Sequence, residues 1–113
     1  MTDCLFCKIA AGEIPAAKVY EDDEVLAFKD IAPKAPVHVL IIPKKHLASI
    51  AEAAPEDAAL LGKMQLLARK LAEDLGIAAG GFRVVTNSGP NSGQEVAHLH
   101  YHLLGGEQLG DIV

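Results

Sequence analysis

The sequence predicts one α+β domain spanning residues 1–113, with a five-stranded antiparallel sheet, one long helix and one short helix. Two short segments of strand-forming residues flank the turn pair Asp22-Asp23, as expected of a hairpin. Leucines recur at helical spacing after Pro55. Towards the end of the chain, histidine alternates with apolar residues at the two-residue period of a strand.

Each predicted element has its own local signal. Residues 4–11 are expected to form the short helix, which Gly12 ends and Pro15 follows. Pro55 suits the first turn of the long helix, and Gly76 suits its end. The stripe expected to face the core is Leu60, Met64, Leu67, Leu71 and Leu75. The predicted strands are residues 18–21, 25–28, 37–42, 82–86 and 98–104.

The composition argues against several classes of protein. Half of the 113 residues are apolar, which is enough to build a core. A net charge of −5 argues against binding to a nucleic-acid backbone. No apolar run reaches membrane-spanning length, and no basic segment followed by an apolar one marks a secretory leader. With only Cys4 and Cys7, no disulfide framework is expected. These features predict a cytoplasmic protein without nucleic-acid or membrane partners.

Residues 98–104 carry most of the functional information. Three of the five histidines, His98, His100 and His102, lie here and alternate with apolar residues. In a strand the three imidazoles project from one face, and the apolar residues between them project towards a core. Adjacent imidazoles can supply a nucleophile, a proton donor or metal ligands. The alternative is a half-buried strand whose polar face happens to be histidine.

Cys4 and Cys7 form a C-x-x-C pair, which can supply half of a tetrahedral zinc site. His46 and His98 are candidates to complete a Cys₂His₂ set. No strand precedes Cys4, so a thioredoxin-like redox pair is not expected. The alternative is a pair of ordinary reduced cysteines on a helix.

Two further features are consistent with a nucleotide site. The Gly-rich loop of residues 87–94 precedes the histidines and can turn backbone N–H groups towards an anion, although it lacks the lysine of a P-loop. Asp30 follows a strand, where acidic residues receive ribose hydroxyls in other nucleotide sites. Asp30 can equally be a turn residue before Pro33, and His38 can be a buried histidine with a satisfied ring.

Taken together, these residues resemble the histidine-triad (HIT) family, and in particular its Hint branch. The family signature is His-φ-His-φ-His-φ-φ, where φ is apolar, and residues 98–104 match it without a mismatch. The similarity covers essentially the whole chain. The other matching segments are residues 4–9, 12–15, 26–31, 36–38, 42–46, 87 and 93–96.

The resemblance implies a HIT-like fold whose homodimer joins two five-stranded sheets. It also implies hydrolysis of purine nucleoside phosphoramidates and related adenylates through a nucleotidyl-histidine intermediate. By position, the implied roles are nucleophile for His100, orientation of His100 by the His98 carbonyl, phosphate contact for His102 and a bond within the triad for His38. The implied nucleotide-binding residues are Asp30, Ile31, Asn87, Gly93, Gln94, Glu95, His100 and His102.

The resemblance also strengthens the zinc prediction. In some bacterial relatives a C-x-x-C pairs with two histidines to hold structural zinc, and the matching set is Cys4, Cys7, His46 and His98. Zinc would then support the fold, and the chemistry would stay with His100. Glu95 departs from many animal relatives, which have serine at this position.

Two other function classes stay open at this stage. A metallohydrolase would use His98 and His100 as a His-x-His chelate, because their Cα atoms lie roughly 7 Å apart on a strand. A nucleotide-binding regulatory or scaffold protein would bind AMP without needing the nucleophile. Chelator-sensitive turnover would indicate the first class, and AMP binding without turnover the second. The complete triad favours a nucleotidyl hydrolase whose chemistry needs no metal.

Overall fold

The computed structural model describes residues 4–112; the predicted domain also includes residues 1–3 and 113, which lie outside the described residues. The two α-helices are α1 (Leu5–Ala10) and α2 (Ala58–Asp74). The strands are β1 (Lys18–Glu21), β2 (Val25–Lys29), β3 (Val37–Pro43), β4 (Phe82–Val85) and β5 (Tyr101–Gly105). They form one antiparallel sheet in the order β1-β2-β3-β5-β4, which confirms the predicted α+β class.

The central strand of the sheet is β3. It pairs with β2 on one side and with β5 on the other. Both of its faces are covered, which explains why residues 37–42 read as a continuous apolar run. β5 follows β4 in the chain but lies between β3 and β4 in the sheet. It therefore brings the histidine segment towards the middle of the sheet.

The helices cover opposite faces of this sheet. On one face, α2 packs against the core that contains Leu99, Tyr101 and Leu103. On the other face, α1 contributes Phe6 and Ile9 to a second apolar cluster. His98 and His100 lie on the α1 side, since the ring of Phe6 contacts both, and the ring of His102 lies beside that of His100. The predicted division of residues 98–104 between two faces is therefore confirmed.

The long helix begins later than the sequence predicts. Pro55–Asp57 forms a separate 3₁₀ turn, and α2 itself starts at Ala58. In this turn the Asp57 N–H donates to the Ala54 carbonyl at 2.8 Å, and the Asp57 carboxylate accepts from the Ala54 N–H at 2.9 Å. The reciprocal pair tightens the chain into the three-residue repeat before the α-helix can begin.

The stripe that α2 buries also differs in part from the predicted one. Leu60 and Leu75 are only half-buried, because they lie near the ends of the helix. Alanines complete the buried face, since their small side chains let the helix approach the sheet. The buried residues of α2 are Met64, Leu67, Ala68, Leu71 and Ala72.

Other predicted bounds shift by a single residue or so. α1 loses one residue at each end, because Cys4 and Ala11 cap it rather than belong to it. Gly12, with φ of +81°, follows the helix as its predicted C′ residue. β2 extends to Lys29, and β3 extends to Pro43. Within residues 4–112, no helix combines the length and the apolar character that a bilayer span requires.

The histidine segment departs further from its predicted bounds. β4 ends at Val85 and β5 begins at Tyr101, so residues 98–100 precede the strand instead of forming its first half. Individual bonds hold this part of the backbone. The Leu99 N–H donates to the Leu47 carbonyl at 2.6 Å, and the Thr86 hydroxyl donates to the His100 carbonyl at 2.8 Å.

Candidate active site and metal centre

Phe6 of α1 covers the histidine segment. Its ring meets those of His98 and His100 edge-on, with ring centroids 5.9 Å and 5.1 Å away. His98 is 0% exposed and His100 is 6% exposed. These imidazoles are packed inside the protein, so a solvated polar strand face does not describe them. Buried imidazoles need defined hydrogen-bond partners, and those partners decide which ring nitrogen carries the proton.

The ring of His100 is oriented by the backbone of His98. Its Nδ1 lies 2.7 Å from the His98 carbonyl oxygen, which can only accept, so the proton is assigned to Nδ1. In the neutral ring the lone pair is then on Nε2. Within residues 4–112, every polar side-chain atom that is buried from solvent has a hydrogen-bond partner. Nε2 of His100 has no such partner, so it is accessible to solvent. The middle histidine thus presents a lone pair where a nucleophile would need one.

A chain of hydrogen bonds sets the proton of His102. The Lys34 N–H donates to Nδ1 of His38 at 3.0 Å, so His38 carries its proton on Nε2. That Nε2–H donates to Nδ1 of His102 at 2.9 Å. His102 therefore carries its own proton on Nε2. The result is a second imidazole beside His100, with ring centroids 5.0 Å apart, that offers an N–H donor.

Burial keeps the imidazoles of His38 and His102 neutral. Loss of hydration, together with the neighbouring His100 and His38, lowers the pKa of His102 to about 4, and Asp30 partly opposes this shift. Burial also lowers the pKa of His38, again against the attraction of Asp30. At neutral pH these two histidines consequently act as neutral donors and acceptors, and their tautomers determine their role.

Asp30 lies next to this relay. Its Oδ2 is 3.5 Å from Nε2 of His38, and its Oδ1 accepts from the Ala32 N–H at 2.8 Å. The structure thus brings Asp30 to the triad and also gives it the turn role considered as its alternative. Ile31, which follows it, has a fully exposed side chain. A cleft of about 210 Å³ lined by Asp30, Pro33 and His38 among others opens here.

The Gly-rich loop is held by the side chain of Gln94. Its Oε1 accepts from the Gly89 N–H at 2.8 Å, and its Nε2 donates to the carbonyls of Ala48 at 2.7 Å and Val96 at 2.9 Å. The resemblance assigns Gln94 to the phosphate or leaving group. In this structure the amide instead clamps the loop to the segment after β3.

The backbone of this loop is also engaged. Pro90–Ser92 forms a 3₁₀ turn, in which the Gly93 N–H donates to the Pro90 carbonyl at 3.1 Å. A phosphate contact from Gly93 would need this bond to open, so its role stays a prediction. Asn87 is half-buried two residues after the end of β4, and Glu95 is exposed. Their assigned contacts also stay predictions.

Cys4, Cys7, His46 and His98 converge at the N-terminus of α1, with their ligand atoms within 4.8 Å of one another. Nδ1 of His98 lies 3.1 Å from Nδ1 of His46, 3.3 Å from Sγ of Cys4 and 3.5 Å from Sγ of Cys7. Sγ of Cys7 lies 3.2 Å from Nδ1 of His46. The fold therefore assembles the predicted Cys₂His₂ set from three separate parts of the chain.

These separations fit a tetrahedral zinc ion. Bonds of about 2.05 Å to nitrogen and about 2.3 Å to sulfur place neighbouring ligands about 3.3 Å (N to N) and about 3.5 Å (N to S) apart. The ring proton of His98 is on Nε2, which lies 2.8 Å from the Pro43 carbonyl, so Nδ1 directs a lone pair at the cluster. Burial and the adjacent Cys4 raise the pKa of the Cys7 thiol, and a bound cation would favour the thiolate instead.

Asp30, His38 and His102 form a second group with metal-ligand chemistry. Here the tautomers favour a hydrogen-bond relay. Because Lys34 donates to Nδ1 of His38, the Nε2 that faces the other two residues carries a proton and has no lone pair for a metal. The two clusters therefore differ in chemistry, although both contain histidine.

Sequence reasoning did not identify several contacts at this site. Phe6 lies inside the C-x-x-C motif, and its apolar neighbours gave no sign that it would cover the histidines. Thr86 ends a predicted strand, and its bond to the His100 carbonyl depends on the β4–β5 register. The Lys34 N–H carries no side-chain signal at all.

Comparison with known proteins agrees with this geometry. The HIT domain family model matches residues 11–109. The chain belongs to the HIT domain family. It is 45% identical over 111 residues, covering 98% of this chain and 93% of the relative, to a purine nucleoside phosphoramidase of Escherichia coli. It is also 54% identical over 105 residues to Protein HitA of Neisseria gonorrhoeae, with 93% and 97% covered.

The fold of this HIT protein is similar to solved structures along its full length. It superposes on a HIT family hydrolase from Clostridium thermocellum with a TM-score of 0.96 and 52% identity, covering 100% of this chain and 99% of that one. The predicted family, its Hint-like branch and the HIT-like five-stranded fold are confirmed.

Proposed function

We propose that this HIT protein is a hydrolase that cleaves purine nucleoside phosphoramidates and related adenylates through a nucleotidyl-histidine on His100. The observation that carries the proposal is the His100 tautomer, which leaves Nε2 with a reachable lone pair. The phosphoramidase relative from Escherichia coli supports the substrate class.

The reaction divides into two displacements at phosphorus. Nε2 of His100 attacks the α-phosphorus, a P–N bond forms to the ring, and the substrate's P–N bond breaks as the amine leaves with a proton from water. Water then attacks the same phosphorus, which releases AMP and returns the electron pair to Nε2. The Nδ1–H bond to the His98 carbonyl stabilises the positive charge that the ring acquires in the intermediate.

His102 is suited to the developing charge on the phosphate. Its Nε2–H is a neutral donor at pH 7, and the His38 relay fixes its direction. A donor positioned before the reaction stabilises the transition state without reorganisation. Asp30, next to His38, would receive the ribose hydroxyls, with Ile31 beside the base.

We also propose a structural zinc ion held by Cys4, Cys7, His46 and His98. When bound, zinc would supply a cross-link between α1, the segment after β3 and the histidine segment. Both ring nitrogens of His98 are engaged away from His100, one with this cluster and one with Pro43. This geometry disfavours the His-x-His chelate that a metallohydrolase would use.

The direct test is turnover of an adenosine phosphoramidate by the wild-type protein. We expect AMP and the free amine as products, and an alkaline quench during turnover to show protein whose mass has increased by one AMP moiety. A uridine phosphoramidate serves as the control and should react more slowly. AMP binding without product or adduct would contradict the enzyme and support the binding-protein alternative.

We further propose that two copies pair through β4 and join their sheets. β4 is an edge strand, and its Phe82 and Val84 are 38% and 40% exposed. Unpaired edge strands with apolar side chains favour pairing with another strand.

Val84→Lys is expected to shift the mass measured by sedimentation from dimer to monomer, because it places a charge in the proposed interface. Leu66→Lys, at an exposed apolar position on α2, should leave the mass unchanged. A wild-type protein that sediments as a monomer would contradict the pairing.

A further inference from the structure

Thr86 lies at the point where the β4–β5 pairing stops. Val85 pairs with His102 at the end of the ladder, and Thr86 is the next residue along the chain. Its side chain continues the connection, because Oγ1 donates to the His100 carbonyl oxygen at 2.8 Å. A hydroxyl therefore holds the main chain of the proposed nucleophile at the position where backbone pairing no longer does.

His100 is consequently fixed at two points. Its ring is held by the Nδ1–H bond to the His98 carbonyl, and its own carbonyl is held by Thr86. The first bond selects the tautomer. The second fixes the peptide group that follows the His100 Cα atom, from which the side chain extends. If the hydroxyl is removed, the carbonyl loses a donor, and rotation of this peptide to find another would turn the ring as well.

We propose that Thr86 is a positioning residue for His100, acting through the main-chain carbonyl; the catalytic part of this inference rests on the proposed function. Phe6 packs against the His100 ring and limits its sideways movement. The Thr86 hydroxyl limits movement of the backbone beneath it. Small displacements of a nucleophile from its line of attack slow the chemical step more than they weaken substrate binding.

Three substitutions test the hydroxyl. Thr86→Ala and Thr86→Val both remove the hydroxyl donor. Alanine leaves the space of the side chain empty, whereas valine fills it. Each is expected to lower kcat on an adenosine phosphoramidate about fivefold, the factor that one ordinary hydrogen bond represents, with KM little changed. Thr86→Ser keeps the donor and should restore kcat. An effect of Thr86→Val alone would indicate a steric cause and overturn the proposal.

Ring ¹⁵N shifts of His100 supply a readout that needs no substrate. In the wild type and in Thr86→Ser they should report the Nδ1–H tautomer, and in Thr86→Ala and Thr86→Val the two shifts should move towards each other. This arm separates the two hypotheses: a protein without phosphoramidase turnover would refute the proposed function, while the NMR result would still decide whether Thr86 orients the ring.

Tyr20→Phe is the matched control. It also deletes one hydroxyl bond from a strand, in this case to Asp22 at 2.7 Å on β1, at the other edge of the sheet. Any loss of thermal stability in the two Thr86 variants is compared with this control. If Thr86→Ala and Thr86→Val change stability as Tyr20→Phe does but leave kcat and the ¹⁵N shifts unchanged, Thr86 has only a structural role.

Discussion

His100→Ala is expected to lower turnover of a purine nucleoside phosphoramidate by at least about 10⁴-fold, because it removes the atom that would form the covalent intermediate. The nucleotidyl adduct should disappear from the quenched protein at the same time. The fold should survive, since the neighbouring Leu99 and Tyr101 remain in the α2 core. AMP titration by calorimetry checks that the nucleotide site is still formed in the variant.

His102→Gln is the matched control for His100→Ala. Glutamine keeps an N–H donor at a similar distance from the backbone, so we expect a smaller loss, on the order of 10²-fold, from imperfect alignment of that donor. Adduct formation should persist in this variant. Equal and complete losses in both variants would contradict distinct roles for the two histidines, and turnover retained in His100→Ala would contradict the nucleophile itself.

Cys4→Ser is expected to abolish zinc binding, from one zinc per chain in the wild type to a small residual fraction. The serine hydroxyl does not supply the thiolate that a Cys₂His₂ site needs. At free zinc about 1,000-fold above its Kd, binding to the folded state alone contributes about 4 kcal/mol to the free energy of unfolding, and the variant loses this. Elemental analysis and urea unfolding with and without added zinc measure the two effects.

The zinc-free wild type is the control for Cys4→Ser. After removal of the metal with a strong chelator, its unfolding midpoint should fall to that of the variant, because both then lack the same cross-link. Turnover should be reduced, because the side chain of His98 belongs to the cluster while its carbonyl orients His100. It should not be abolished, because the nucleophile itself is unchanged. Complete loss of turnover with an intact fold would instead support the metallohydrolase. A wild type that binds no zinc would contradict the site.

His98 connects the predicted metal centre to the proposed catalytic residue. His98 directs Nδ1 to the cysteines, Nε2–H to Pro43 and its carbonyl to His100. Its backbone N–H donates to the Val96 carbonyl at 2.8 Å, so all four polar groups of this residue have a partner. A change at the cysteines is therefore expected to reach His100 through one residue. Phe6 forms a second connection, since it lies between the two cysteines in sequence and contacts both histidines.

The sequence by itself determined the features that depend on neighbours along the chain. The two-residue period placed the histidines on one face, and the leucine repeat and Gly76 placed the long helix. The C-x-x-C and histidine-triad motifs were complete enough to indicate the family. These properties depend on local backbone periodicity and side-chain type, which neighbouring residues encode directly.

Only the tertiary structure decided where the ring protons of His98 and His102 lie and what holds the backbone of His100. His98 finds Pro43, His102 finds His38, and His100 finds Thr86, and each partner is distant in sequence. The position of a proton on an imidazole depends on the atom facing each nitrogen, which the packing of separate strands supplies. For the same reason the sequence predicted a strand from His98, whereas the backbone pairing that defines β5 begins at Tyr101.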